Sequence, residues 1–196
     1  MLNKRIIIVS LLSAVIVTGV GLGLYFGLKP PQQEEIVLTI TNGSDTITFT
    51  MDDIKTHSKS IISSGGYKKT SGIIVGPNDY KGVPVMELIE SLGGLNETQE
   101  LTVIADDGFK MTYSYSMVNG FVTAYDNVTG VELGVQSFEM MLIFEEIDEV
   151  ILGGGPLRVG FLSDEGYVSD GQLWVKEVIK IEMNISSSIW SVDLYS

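Results

Sequence analysis

The residue with the most distinctive chemical setting is Arg158. It is the only arginine after Lys29, in a stretch that holds eight lysines, and it follows Gly153-Gly154-Gly155-Pro156-Leu157. A guanidinium is a planar fork that clamps a carboxylate or phosphate through two parallel hydrogen bonds, which an ammonium cannot do. The glycines permit positive φ and let a ligand approach the backbone closely. Gly154, Gly155 and Arg158 are therefore the candidate binding residues. The alternative is that Arg158 ties its loop to an internal carboxylate such as Asp106 or Asp107. The loop lacks the trailing Gly-Lys-Ser/Thr of a phosphate-binding P-loop and the helical context of a dinucleotide fingerprint, so nucleotide binding is not expected.

Other reactive side chains point to less. His57 is the sole histidine, and no G-x-S-x-G elbow accompanies it, so a Ser-His-Asp hydrolase is not expected and no catalytic residue is assigned. Glu145, Glu146, Asp148 and Glu149 could offer oxygen ligands to a hard cation such as Ca²⁺. Without a D-x-D-x-D-G loop they read as a solvated acidic turn, and no metal site is expected. Tyr113 and Tyr115 stand at period-two spacing, which puts both on one sheet face as part of a core edge or the rim of a cleft.

The elements that must position these residues begin with a membrane anchor. From Ile6 to Leu28 no charged side chain interrupts an apolar run, and roughly 20 such residues span a bilayer as a helix. Lys4 and Arg5 on one flank outweigh Lys29 on the other, which places the N-terminus in the cytoplasm. The expected organisation is a cytoplasmic tip (1–5), a single transmembrane anchor (6–28), a Pro-Pro linker (29–35), one extracytoplasmic domain (36–185) and a tail (186–196). All 25 acidic residues follow Lys29, against nine of the 12 basic ones, leaving that part at −16. Such a charge repels nucleic acid and anionic headgroups, so neither is an expected partner of the domain. The chain has no cysteine, which excludes disulfides and a lipid-modified cysteine. Four Asn-x-Ser/Thr sequons, at Asn42, Asn96, Asn127 and Asn184, are reachable by a glycosylation machinery only outside the cytoplasm.

Within the domain, Ile36–Ile40 and Thr46–Met51 read as a hairpin, with Met51–Thr56 turning helical and Asp52 as its cap. Ser63–Lys69 reads as a loop and Ser71–Val75 as a short strand. Pro84–Leu92 reads as the clearest helix, stopped by Gly93-Gly94. Leu101–Ala105 and Phe109–Met117 flank the turn Asp106-Asp107-Gly108. Phe138–Phe144 is a buried strand or short helix, Leu157–Leu162 another element, and Leu173–Met183 closes the domain as strand. Strands with one or two helices, not strictly alternating, predict an α+β domain on a mainly antiparallel, mixed sheet.

The order of four segments resembles a known family. Tyr80-Lys81-Gly82-Val83-Pro84-Val85-Met86-Glu87-Leu88-Ile89 with Gly93-Gly94, then Val103-Ile104-Ala105-Asp106-Asp107-Gly108-Phe109, then Gly153-Gly154-Gly155-Pro156-Leu157-Arg158-Val159, then Leu173-Trp174-Val175-Lys176-Glu177-Val178-Ile179-Lys180-Ile181 are similar to successive motifs of the oxidoreductase molybdopterin-binding domain, the catalytic domain of the sulfite oxidase family. The resemblance implies that family's fold and a molybdopterin cofactor. Catalytic members bind molybdenum through a cysteine thiolate, and this chain has none; serine or aspartate would supply a harder oxygen with a different redox poise. The family's lysine before the tryptophan is Leu173 here. The expectation is a non-catalytic module that binds a small ligand or a membrane-protein partner near Arg158, without cofactor. Two alternatives are a molybdopterin oxidoreductase with oxygen ligation and a filament subunit built on the apolar N-terminal helix.

Overall fold

Alternating β-branched residues on either side of Asn42-Gly43-Ser44-Asp45 produce the first hairpin, β1 (Ile36–Thr41) against β2 (Thr46–Thr50). Asn42 Oδ1 closes its turn by accepting the N–H groups of Ser44 and Asp45 at 3.0 and 2.7 Å. The computed structural model describes residues 34–147 and 156–186. The expected anchor at 6–28 lies outside them. Among the described residues no helix is long and apolar enough to cross a membrane.

After β2 the chain turns helical over Met51–Lys55, as its sequence predicts, but the cap is Thr50 and not Asp52. Thr50 Oγ1 accepts from the Asp53 N–H at 3.2 Å while the Asp53 carboxylate accepts from the Thr50 N–H at 2.8 Å. This reciprocal box satisfies two donors that a helix start leaves unpaired. The bonds that the Asp53 carboxylate accepts from the Thr50 N–H and, at 2.8 Å, from the Thr50 hydroxyl, the backbone one foremost, hold its carboxyl below the ordinary value.

The remaining strands are β3 (Ile61–Lys68), β4 (Ile74–Pro84), β5 (Gln99–Ala105), β6 (Lys110–Ser114), β7 (Phe121–Asp126), β8 (Glu132–Ser137), β9 (Glu139–Glu146), β10 (Arg158–Leu162), β11 (Tyr167–Asp170), β12 (Val175–Lys176) and β13 (Val178–Ile185). Strands account for 56% and helices for 14% of the described residues, so the domain is mostly β and the α+β expectation is corrected. Two misread segments account for much of the difference. Ser63–Lys68 of that expected loop belongs to β3: Gly65 and Gly66 are there because a Cβ would lie 2.6 Å from the Leu162 side chain and 2.3 Å from the Val75 carbonyl. Glycines that read as loop punctuation instead permit close strand approach. The helix expected from Pro84 to Leu92 shrinks because β4 runs through Pro84. Only Val85–Ile89 is α-helical, followed by a 3₁₀ turn at Glu90–Leu92 that ends on Gly93 and Gly94 at φ 95° and 67°.

Two sheets result. One has the order β2-β1-β13-β5-β6, the other β12-β10-β9-β4-β3-β11-β7-β8. The pairs β1–β13 and β3–β11 are parallel and the others antiparallel. In the larger sheet β10 also pairs with β3, through Leu162 and Gly65. That contact closes β3, β4, β9 and β10 into a small barrel.

Alternation then sorts the side chains of the barrel strands into two cores. Val83, Leu142, Val159 and Phe161 join the main core with Leu38, Ile40, Leu101, Val103 and Ile181 of the first sheet. Tyr80, Met141, Ile143 and Leu162 form a second, separate cluster, with Trp174 packed against it. Gly160 makes room for that tryptophan, since a Cβ there would lie 2.7–2.9 Å from the indole ring.

Candidate functional site

The two ends of the small barrel have opposite characters, and the strand register decides which residues meet at each. At one end, the pairs Tyr80↔Glu146 and Arg158↔Ile143 bring Arg158 to Glu146. Their charged atoms are 3.6 Å apart, and both side chains are about nine-tenths buried, at 10% and 9% exposure. Asn78 Nδ2 donates to the other carboxylate oxygen at 2.6 Å. Tyr80 stands beside them; burial first and the Glu146 charge second push its hydroxyl up to about 12. Trp174 completes this end, its ring 5.0 Å from that of Tyr67 and 5.7 Å from that of Tyr80, its Nε1–H donating to Ser169 Oγ at 2.8 Å.

Arg158 is thus engaged with an internal carboxylate, and that carboxylate is Glu146, not Asp106 or Asp107. Gly154 and Gly155, the other expected binding residues, lie outside the described residues, as do Asp148 and Glu149. Glu145 is exposed on β9. Among the described residues no group of three or more acidic, histidine or cysteine side chains could hold a metal. His57 sits in the turn after the first helix, where its Nδ1 accepts the Lys59 N–H at 3.3 Å. Tyr113 and Tyr115 do not share a sheet face. Strand β6 ends at Ser114, which caps a helical turn over Tyr115–Val118. Tyr113 is fully buried, donating to the Leu173 carbonyl at 2.8 Å, and burial raises its hydroxyl.

The opposite end of the barrel opens into a cleft of about 780 Å³. Its walls come from the starts of β3, β9 and β11, the ends of β4, β8 and β10, and the residues next to them: Ser63, Pro84, Glu139, Leu162, Ser163, Asp164 and Glu165, with Asn119, Gln136, Ser137, Phe138 and Tyr167. Three carboxylates and no cationic side chain line it. Asp164 is built in, with its Oδ1 accepting from Ser63 Oγ at 3.1 Å and from the Ser64 N–H at 2.9 Å. Phe138 and Tyr167 meet edge to face with centroids 4.9 Å apart, and Tyr167 is held by its hydroxyl donating to the Ser137 carbonyl at 2.8 Å. Partial desolvation and the nearby Glu87 carboxylate raise the Glu139 carboxyl above its ordinary value.

No isolated motif announced this cleft. Its acidic members, Glu139, Asp164 and Glu165, come from two segments more than twenty residues apart, and only the β9–β10 pairing and the β10–β3 closure bring them together.

A testable consequence concerns pH. A carboxyl whose folded pKa exceeds its unfolded value binds its proton more tightly in the native state, so stability falls as pH rises through that interval. Replacing Glu139 by glutamine removes this loss. E139Q is expected to be at least as stable as the parent at pH 7 and to lose that advantage in acid below both pKa values. Urea-unfolding midpoints measured across pH check it; parallel midpoints for the two proteins would contradict the assignment.

No family model matches the chain, and no curated protein is significantly similar to it.

Proposed function

We propose that this chain is a non-catalytic binding module, held outside the cytoplasm by its N-terminal segment, whose ligand sits in the acidic cleft at the mouth of the small barrel. The observation that carries the reading is the cleft itself. Its volume falls in the range of small-molecule sites, and its lining combines three carboxylates, hydroxyl and amide groups, and an aromatic pair. Carboxylates without a cationic neighbour attract a positive group. The aromatic faces favour the same charge, and the Ser, Asn and Gln side chains match hydroxyls. The ligand class is therefore an organic cation that also carries hydroxyl groups.

The cleft is also the better seat than the Arg158 end of the barrel. There the guanidinium already faces Glu146, and an incoming anion would have to displace a buried carboxylate.

Calorimetric titration with glucosamine tests the reading, with glucose and N-acetylglucosamine as uncharged controls. Glucosamine is expected to bind and the controls are not. Affinity is expected to fall with salt and with pH as Glu139 takes up its proton. E139Q and E165Q are each expected to weaken binding roughly two- to fivefold, the scale of a partly solvated charge contact. No binding of glucosamine at millimolar concentration, or equal binding of the controls, would overturn it. The protein purified from its native membrane is expected to carry neither molybdenum nor pterin. Both at near-stoichiometric levels would restore the enzymatic alternative.

A further inference from the structure

We infer that Asn96 is an N-glycosylation acceptor, and the one of the four sequons that folding leaves ready for modification; this rests on the extracytoplasmic placement proposed above. Attachment needs a free side-chain amide nitrogen, a sequon hydroxyl turned toward that amide, and room at the surface for a bulky sugar. The four sites differ in all three respects.

At Asn42 the amide nitrogen donates to the Leu92 carbonyl at 3.2 Å, in a half-buried position against the 3₁₀ turn. At Asn184 it donates to Thr102 Oγ1 at 3.3 Å, and the backbone is locked in the β13–β5 ladder. At Asn127 the sequon hydroxyl is turned away, since Thr129 Oγ1 donates to Asp126 Oδ1 at 2.7 Å. Asn127 is itself half-buried.

Asn96 meets each need. Asn96, Glu97 and Thr98 are all exposed, the only sequon of the four with three exposed residues. Thr98 donates to Asn96 Oδ1 twice, from its hydroxyl at 2.6 Å and its N–H at 2.9 Å. These bonds fix the amide by its oxygen and leave Nδ2 outside the fold's hydrogen bonding. The turn is held by other atoms: the Asn96 carbonyl accepts the Gln99 N–H at 2.9 Å, and the Thr98 carbonyl accepts the Ser186 N–H at 2.8 Å. A sugar on Nδ2 would disturb none of them.

The reaction joins Asn96 Nδ2 to the anomeric carbon of a lipid-linked phosphosugar. The bond from that carbon to the phosphate oxygen breaks, the lipid phosphate leaves, and the amide proton passes to it, with no change of oxidation state.

Peptide mass mapping of the full chain from its native membrane tests the inference, with N96Q, T98A and T98S made in the native host. The peptide holding Asn96 is expected to carry added sugar mass in the parent and in T98S, which keeps a sequon, and to lose it in N96Q and T98A. A bare Asn96 peptide in the parent, or added mass that persists in T98A, would overturn it. Sugar at Asn42, Asn127 or Asn184 with Asn96 bare would sink this inference while leaving the location standing. Four bare sequons together with a domain shielded from protease added outside intact cells would overturn both.

Discussion

Replacing Arg158 by methionine is expected to destabilise the domain by about 3–5 kcal/mol, because it strands the Glu146 carboxylate in a buried position. Asn78 would remain as one hydrogen-bond donor to that carboxylate, which does not offset a full charge. In a domain of this size the melting temperature should fall on the order of 10 °C. The double replacement of Arg158 and Glu146 by methionine is the informative partner. Removing both charges leaves no uncompensated ion, and a well-packed apolar pair can match or exceed a buried salt bridge. The double variant is expected to recover most of the lost stability. If it is as unstable as R158M, the pair is not acting as a unit. Binding in the acidic cleft should be nearly unchanged in the double variant, since the ion pair occupies the other end of the barrel.

Gly120→Ala is expected to have a comparable effect by a different mechanism. Gly120 lies between the Tyr115–Val118 turn and β7 at φ 89°, and a Cβ there would fall 1.8 Å from the Phe138 carbonyl oxygen. Left-handed strain contributes about 1–3 kcal/mol, and forcing the backbones apart contributes roughly 1–3 kcal/mol more. The neighbour cannot yield as a flexible side chain would, because Phe138 N–H donates to the Gly120 carbonyl at 2.9 Å. Asn119 and Phe138 also line the cleft, so glucosamine affinity should drop together with the denaturant midpoint. A midpoint shift with intact affinity would show that the cleft wall does not depend on this approach. A variant as stable as the parent would contradict the packing itself.

The local signals that succeeded are those whose physics is complete within a few residues. Asn42-Gly43-Ser44-Asp45 supplies its own turn hydrogen bonds, Asp106-Asp107-Gly108 its own positive φ at Gly108 (86°), and Gly93-Gly94 its own helix stop. Both hairpins and the stop were legible for that reason. Signals that failed have two physical meanings that a sequence cannot separate. Gly65-Gly66 reads as a flexible loop or as a place where strands touch. Pro84 opens a helix or closes a strand, and here it closes β4. Tyr115 continues an alternating strand or enters a helical turn, and the Ser114 cap decides for the turn. The first two ambiguities were resolved by partner strands distant in sequence, the third by the neighbouring cap.

The resemblance to the molybdopterin-binding domain rests on the four segments quoted for it. The first runs from β4 into the Val85–Ile89 helix, the second and fourth fall on strands and turns, and the loop of the third lies largely outside the described residues; no family model matches the chain.

What the sequence by itself determined is the charge, the absence of thiols, the apolar N-terminal run, the local turns and the positions of the sequons, because each is a property of composition or of neighbours along the chain. Tertiary structure alone decided that Arg158 faces Glu146, that Glu139 and Asp164 share a cleft, and that Asn96 has a free amide nitrogen where Asn42 and Asn184 do not. Those facts depend on register and on closure of the β3–β4–β9–β10 ring. A strand presents alternate residues to opposite faces, so a shift of one position would exchange what is buried for what is exposed. Only the pairing of distant strands selects the register.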